Sequence, residues 1–260
     1  MNKYYSISDI IICCKSDIPI ETSKLFADFI CEPAVPDITV NIIGGTLPET
    51  DGGIYKDYPL SDKKVRFSCK IKKAFNEYDL HIDYSDGLWD YAVFYALDFA
   101  PVLLENNRVM CHCSYVIRDG EAILFAGFKQ VGKSTQAELW EKFGNAEVIN
   151  GDRAILLKEG DRFLACGTPY CGSSKIALNR IAPIKAIILL SKSSENVASL
   201  VENRNECFKL IFPHLSYDDS HINEMLTLAQ EICTAVPFYN YSCLPEKAAV
   251  YDLEKILWKH

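Results

Sequence analysis

The chain has 260 residues, enough for one large domain or two modest ones with a real core. Hydrophobic residues make up 49% and charged residues 24%, and a formal net charge of -8 with a pI near 5.2 comes without the long Lys/Arg block that nucleic-acid binding uses. Met1-Asn2-Lys3 and the short apolar run Ile10–Ile12, stopped by Lys15 and Asp17, are too short for a signal core or a membrane span, so the expected location is the cytoplasm, with no nucleic-acid or membrane partner.

In chain order, the first hundred residues are strand-rich. Ser6–Cys14, Ile38–Ile43, Val65–Ile71 and Asp79–Tyr84 are short runs of β-branched and aromatic residues, separated by Pro36-Asp37, Gly44-Gly45 and Asp51-Gly52-Gly53. Val65, Phe67 and Cys69 alternate with polar residues, as do Leu80, Ile82 and Tyr84, the pattern of antiparallel strands with one wet face. Ile20–Phe29 reads as a short helix. Leu88–Leu104 has helical apolar spacing interrupted only by Pro101, and Asn106-Asn107 marks a turn. These features predict a small β-rich domain with a linking helix over 1–105 and a second domain over 106–260.

The second half alternates. Val109–Ile117 and Ala122–Ala126 are strands joined by a hairpin turn at Arg118-Asp119-Gly120. A loop at Gly127–Gly132 leads to a helix over Ser134–Phe143, which Gly144-Asn145 ends. Strands follow at Glu147–Ile149, Ala154–Lys158, Phe163–Gly167 and Ala186–Leu190. Helices follow at Ser193–Ile211 and Ile222–Thr234, then a strand at Phe238–Ser242 and a helix at Pro245–Trp258.

Eleven cysteines cannot all pair internally, and most sit in apolar runs such as Ile12-Cys13-Cys14 and Ala165-Cys166. They read as reduced thiols acting as small core residues. Cys111-His112-Cys113 has a metal-like look, but alternate residues of a strand point to opposite faces, so His112 faces away from both thiols. No CxxC pair completes a zinc site.

Gly127-Phe128-Lys129-Gln130-Val131-Gly132-Lys133-Ser134 matches the phosphate-loop pattern G-x-x-x-x-G-K-[ST] in full. Glycines let successive backbone N–H groups face the phosphates, and the positive end of the next helix adds to that field. In this pattern Lys133 reaches the β and γ phosphates, and the Ser134 hydroxyl holds magnesium. The apolar strand before the loop and the helical run from Thr135 after it supply the required context. The expected ligands are therefore ATP, or a related nucleoside triphosphate, and Mg2+, bound through Gly127, Gln130, Val131, Gly132, Lys133, Ser134 and Thr135. Glu147–Asp152 is an apolar stretch ending in a carboxylate, which makes Asp152 a second metal ligand, its plainer reading being a turn aspartate after Asn-Gly. His112 lies fifteen residues before Gly127 on the preceding hairpin, open to a place near the γ phosphate or to a core role. Gly167–Ser174 is either a second Gly-rich loop beside the site or a plain turn. Lys175 and Arg180 stand as phosphate contacts or as solvated surface.

Together these features resemble the HPr kinase/phosphorylase and phosphoenolpyruvate carboxykinase superfamily, more closely its HPr-kinase-related branch found beside peptide-modification genes. The resemblance rests on His112, the loop Gly127–Thr135, Gly151-Asp152-Arg153 at the family's Asp-Asp element, and Gly167-Thr168-Pro169-Tyr170-Cys171-Gly172. It covers about Met110 to the C-terminus. It implies an α/β fold with an α+β tendency, in which the phosphate loop sits on a mixed sheet. It implies catalytic roles for His112, Lys133 and Asp152, and metal binding by Ser134 and Asp152. The expected function is a kinase acting on a hydroxyl of a peptide, protein or small molecule. A homo-oligomer is compatible with this, HPr kinases themselves forming hexamers. Gly151 departs from the pattern, because it replaces the family's first Asp, the general base toward the acceptor. That departure keeps a second reading open, a nucleotide-binding accessory protein without turnover. A carboxykinase ranks behind both, since its oxaloacetate and second-metal constellations are not recognisable.

Overall fold

The computed structural model describes residues 1–44, 54–59, 66–83, 88–217 and 219–258. It is a mixed α/β structure that divides into two compact units, Met1–Phe99 and Ala100–His260.

The first unit is built on a six-stranded sheet. Its strands are β1 (Asn2–Ile7), β2 (Ile10–Ser16), β4 (Ile38–Gly44), β5 (Ile54–Pro59), β6 (Arg66–Ala74) and β7 (Glu77–Asp83), in the order β1-β2-β4-β7-β6-β5. Two-residue strands β3 (Ile20–Glu21) and β8 (Leu88–Trp89) pair in parallel beside it, and helix α1 (Asp90–Leu97) follows. Tyr5, Phe26 and Phe94 centre the core, with Phe94 4.9 Å from each of the other two rings. Strands β6 and β7 are antiparallel, as their alternation predicts, but β4 is parallel to both β2 and β7. Val65, Tyr84, Gly45 and the Asp51-Gly52-Gly53 breaker lie outside the described residues.

Three expectations for this half are corrected. Ser6–Cys14 is a hairpin, because Ser8 and Asp9 both take left-handed φ of 53° and 60° and form the tight turn whose twist suits paired strands. Ile20–Phe29 is helical only over Ala27–Phe29, where one 3-10 turn forms. The Ser23 N–H is taken by the buried Asp90 carboxylate at 3.0 Å, which draws that backbone out of a helical ladder. The Leu88–Leu104 stretch breaks at Asp98, with φ of 50°, into α1 and α2 (Phe99–Glu105). Pro101 has no N–H for the Leu97 carbonyl, and its ring crowds that group.

The second unit has a mixed sheet with helices on both faces. Its strands are β9 (Arg108–Arg118), β10 (Glu121–Ala126), β11 (Glu147–Asn150), β12 (Arg153–Glu159), β13 (Arg162–Cys166), β14 (Ile181–Lys192), β15 (Val197–Leu200) and β16 (Phe238–Cys243). Asp119 and Gly120, with φ of 49° and 79°, make the predicted two-residue turn between β9 and β10. β10 and β14 are parallel, as are β14 and β16, while β9 is antiparallel to β10, β11 and β12. Most central strands are buried on both sides, hence their near-continuous apolar sequences. On one face Cys111, Tyr115, Leu124 and Ile187 meet α4 (Arg204–Ile211) and α5 (Ile222–Ala235). On the other, Ile123, Phe125 and Ile188 meet α3 (Lys133–Phe143) and α6 (Lys247–Leu257).

The predicted helix over Ser193–Ile211 is also corrected. Val197–Leu200 adds to the sheet edge as β15, antiparallel to β16. The helix begins only at Arg204, because the Asn203 side chain caps it, accepting from the N–H groups of Asn205 and Glu206 at 2.9 and 3.2 Å. No helix among the described residues is long and apolar enough to cross a membrane.

None of the ten cysteines whose side chains are described is in a disulfide, and eight of them are buried. Thiol titration in denaturant, without reductant, is expected to find at least ten reactive groups. Several intact disulfides in freshly purified protein would contradict this packing.

Candidate functional site

The Gly127–Gly132 loop joins β10 to α3, the strand–loop–helix arrangement the motif requires. Gly127 and Gly132 take φ of 142° and 112°, open to glycine and strained for other residues. A Cβ at Gly127 would lie 3.0 Å from Val131 Cγ1 and 3.1 Å from the Leu190 carbonyl oxygen. Gln130 is also left-handed, at 65°, and Val131 N donates to Phe128 O at 3.2 Å, closing the loop on itself.

Lys133 begins α3, and its side chain is only 8% exposed. Its ammonium turns back into the loop, donating to Gly127 O at 2.9 Å and to Phe128 O at 3.4 Å. Burial lowers its pKa, and the nearby Asp152 charge works against that fall. Ser134 Oγ donates to Gly151 O at 3.3 Å. Thr135, exposed, faces a cleft of about 440 Å³ between the loop and the ends of β14 and β16, lined also by Gln130, Gln136, Lys192 and Cys243.

Asp152 is delivered by a break in a strand. Strands β11 and β12 run along β9 in succession, β11 opposite Tyr115–Ile117 and β12 opposite Arg108–His112. Gly151 and Asp152 bulge out between them. Cys113 N donates to Asp152 O at 3.0 Å, and Ser114 Oγ donates to Gly151 O at 2.9 Å, so the bulge is fastened to β9. His112 and Asp152 meet here, with Nδ1 3.4 Å from Oδ1, while Arg153 Nε lies 3.3 Å from Oδ2. Burial first, then the Lys133 charge, lowers the His112 pKa; Asp152 pulls the other way. Cys111 and Cys113 point into the core under α4 and α5, on the face opposite His112.

Lys133, Ser134, His112 and Asp152 are thus brought together. Lys175 and Arg180 are surface residues. Lys175 has a left-handed φ of 53° and its N–H closes a turn on Gly172 O, and Arg180 Nη1 donates to Asn179 O. The Gly167–Ser174 segment does lie beside the site. A Cβ on Gly172 would come within 2.9 Å of Asp152 Cγ, and one on Gly151 within 2.5 Å of Ser174 Oγ.

Two site residues escape the sequence reading. Asn150, 0% exposed, accepts from Asp152 N and Arg153 N at 2.9 Å each, and its amide donates to Thr168 O and Tyr170 O at 2.9 and 3.1 Å. Asn before Gly-Asp carries an Asx-turn signal, but nothing local names the two distant carbonyls. His214 closes the one-turn 3-10 helix Phe212–His214, and its ring stands 6.0 Å from Phe128, edge to face. No motif announces it.

No protein-family model and no curated protein matches the chain. Among solved structures, the Hpr(Ser) kinase/phosphatase from Coxiella burnetii is similar at 12% identity. The match covers 56% of this chain and 94% of that one, with a TM-score of 0.34. Similarity at that level leaves the site to rest on its own geometry.

Asn150→Ala strips four partners from a dry site. It is expected to destabilise the chain by about 3 kcal/mol in urea unfolding; a loss under 1 kcal/mol would mean that water replaces the amide. A second expectation concerns pH. Burial first, then the charges of Lys133 and His112, hold the His214 pKa down at about 4, against near 6.5 in an unfolded chain. Between these values the unfolded state binds more protons, so this contribution is complete above about 6.5 and declines as pH falls toward about 4. The urea midpoint is expected to drop more steeply over that window in the wild type than in His214→Gln.

Proposed function

We propose that this chain binds a nucleoside triphosphate with magnesium on the Gly127–Ser134 loop and transfers its terminal phosphoryl group to a hydroxyl acceptor. The observation that carries the reading is the buried Lys133 ammonium, held by two loop carbonyls at the start of α3 and poised beside His112 and Asp152. A desolvated cation at a helix N-terminus with no acid in its first turn favours an anion. The cleft beside Thr135 offers room for the nucleoside.

The donor set fits magnesium. Ser134 hydroxyl and Asp152 carboxylate are hard oxygen ligands on residues that flank or contact Gly151. When bound, the ion supplies charge neutralisation on the phosphate oxygens. The chain's own residues do the rest. The loop amides and Lys133 orient the phosphates. With His112 Nδ1 3.4 Å from the Asp152 carboxylate, a proton on that nitrogen would face the carboxylate and leave the Nε2 lone pair for the acceptor. Its lowered pKa keeps the ring neutral, ready to accept a proton. As the acceptor oxygen bonds to phosphorus, its proton passes to Nε2 and the bond to the leaving diphosphate breaks.

The accessory reading, nucleotide binding without turnover, is favoured by one observation. Ser174 fills the space beside Gly151 where a carboxylate would stand. Gly151→Asp alone therefore collides with Ser174, and restoring a carboxylate calls for Gly151→Asp with Ser174→Gly.

Calorimetry is expected to show magnesium-dependent ATP binding, weakened roughly tenfold to a hundredfold in Lys133→Ala. Asp152→Asn should keep much of the nucleotide affinity while single-turnover phosphate release or transfer falls about a hundredfold. A wild type that binds no nucleotide with magnesium present would overturn the reading. Nucleotide binding without turnover on any acceptor or water would leave the accessory protein.

A further inference from the structure

A second histidine stands at the phosphate loop, placed there by a pairing far from it in sequence. After the 3-10 turn Phe212–His214 the chain lies along β9. Ser216 N donates to Met110 O at 2.8 Å, and Leu215 forms an antiparallel bridge with Cys111. In that register the residue before Leu215 stands opposite the residue after Cys111, so His214 faces His112. The core confirms the orientation. Leu215 and Cys111 both turn into the cluster under α4 and α5, which puts the two histidines together on the opposite side.

That side is the phosphate loop. Phe128, the second loop residue, is 76% exposed and sets its ring against His214 at an interplanar angle of 65°. His214 itself is only 7% exposed. Its surroundings are thus a loop aromatic, a facing imidazole and the charge of Lys133, which reaches it as it reaches His112.

We propose that His214 contacts the terminal phosphoryl group of the bound nucleotide, across from His112, with the Phe128 ring fixing its orientation. A neutral imidazole has one N–H to donate to a phosphoryl oxygen, and the acceptor's proton is left to His112. The pair of histidines would then hold the two ends of the forming bond, Lys133 and the loop amides holding the leaving side. This rests on the nucleotide reading above, and the test separates the two.

The probe is magnesium with ADP, compared with magnesium and the non-hydrolysable triphosphate analogue AMP-PNP. The readout is imidazole nitrogen–proton NMR on the full chain, which holds five histidines. The His214 signals are identified by their loss in His214→Gln. Should that variant fail to fold, elimination with variants of the other four identifies them. The expected result is that ADP leaves the His214 ring signals nearly in place, while AMP-PNP shifts them and those of His112. In His214→Gln the preference for AMP-PNP over ADP should shrink about tenfold, with ADP affinity within about twofold of wild type. If neither nucleotide binds, the nucleotide reading falls and this proposal with it. If both bind and move the His214 signals equally, or not at all, the contact with the terminal phosphoryl is wrong while nucleotide binding stands.

Discussion

The buried carboxamide of Asn150 holds the functional groups of the second unit in place. It ends β11, and the chain must then bulge by two residues before β12 resumes along β9. A bulge leaves backbone donors without ladder partners, and dry donors without partners are costly. Asn150 Oδ1 accepts two of them, from Asp152 and Arg153, while its amide nitrogen fixes the carbonyls of Thr168 and Tyr170. One side chain thereby ties the bulge to the Gly167–Ser174 segment. That segment brings Gly172 so near Asp152 that any side chain there would strike the carboxyl group. The carboxylate is left confined among His112, Arg153 and Gly172. A network of this kind rigidifies when every member is paired and costs heavily when one is not.

Electrostatics around the loop have a common direction. Lys133, His112 and His214 all have lowered pKa values, burial being the leading cause for each. Lys133 further depresses both histidines. Two unit charges about 4 Å apart interact by about 4 kcal/mol at the effective dielectric of a protein surface. That penalty falls on the charged imidazolium, so both rings stay neutral and the positive charge beside Asp152 is that of Lys133 and Arg153. The chain as a whole is acidic, at -8, so the two cations beside the loop stand out from the net charge of the molecule.

What the sequence revealed, and what it did not, follows from the range of the interactions. The phosphate loop, the Asp119-Gly120 turn and the helices at Ile222 and after Pro245 depend on neighbours within a few residues, and they are legible. The hairpin at Ser8-Asp9 carries no local signal, because neither residue is the glycine that usually marks left-handed turns. The stretch after Ser193 reads as helix because an edge strand gains its stability from a partner, here β16, that no local window contains. His112 and Asp152 were accessible as motif residues. Asn150 and His214 were not, because the carbonyls of Thr168 and Tyr170, and the bridge to Cys111, are set by tertiary register.

The same register bears on Gly151. Here Ser174 Oγ would lie 2.5 Å from a Cβ at that position, and both Ser114 and Ser134 donate to the Gly151 carbonyl. The glycine is therefore built into the packing. A second carboxylate beside Asp152 would also raise the cost of ionising both. With glycine there, Asp152 has no second carboxylate beside it; its oxygens meet His112 and Arg153, and in the proposed reaction no competing anion faces the acceptor. Phosphoryl transfer draws most of its acceleration from alignment and charge neutralisation. A site that replaces one base by a fixed imidazole pair keeps both of those contributions, and this is the physical ground for placing the enzyme ahead of the accessory protein.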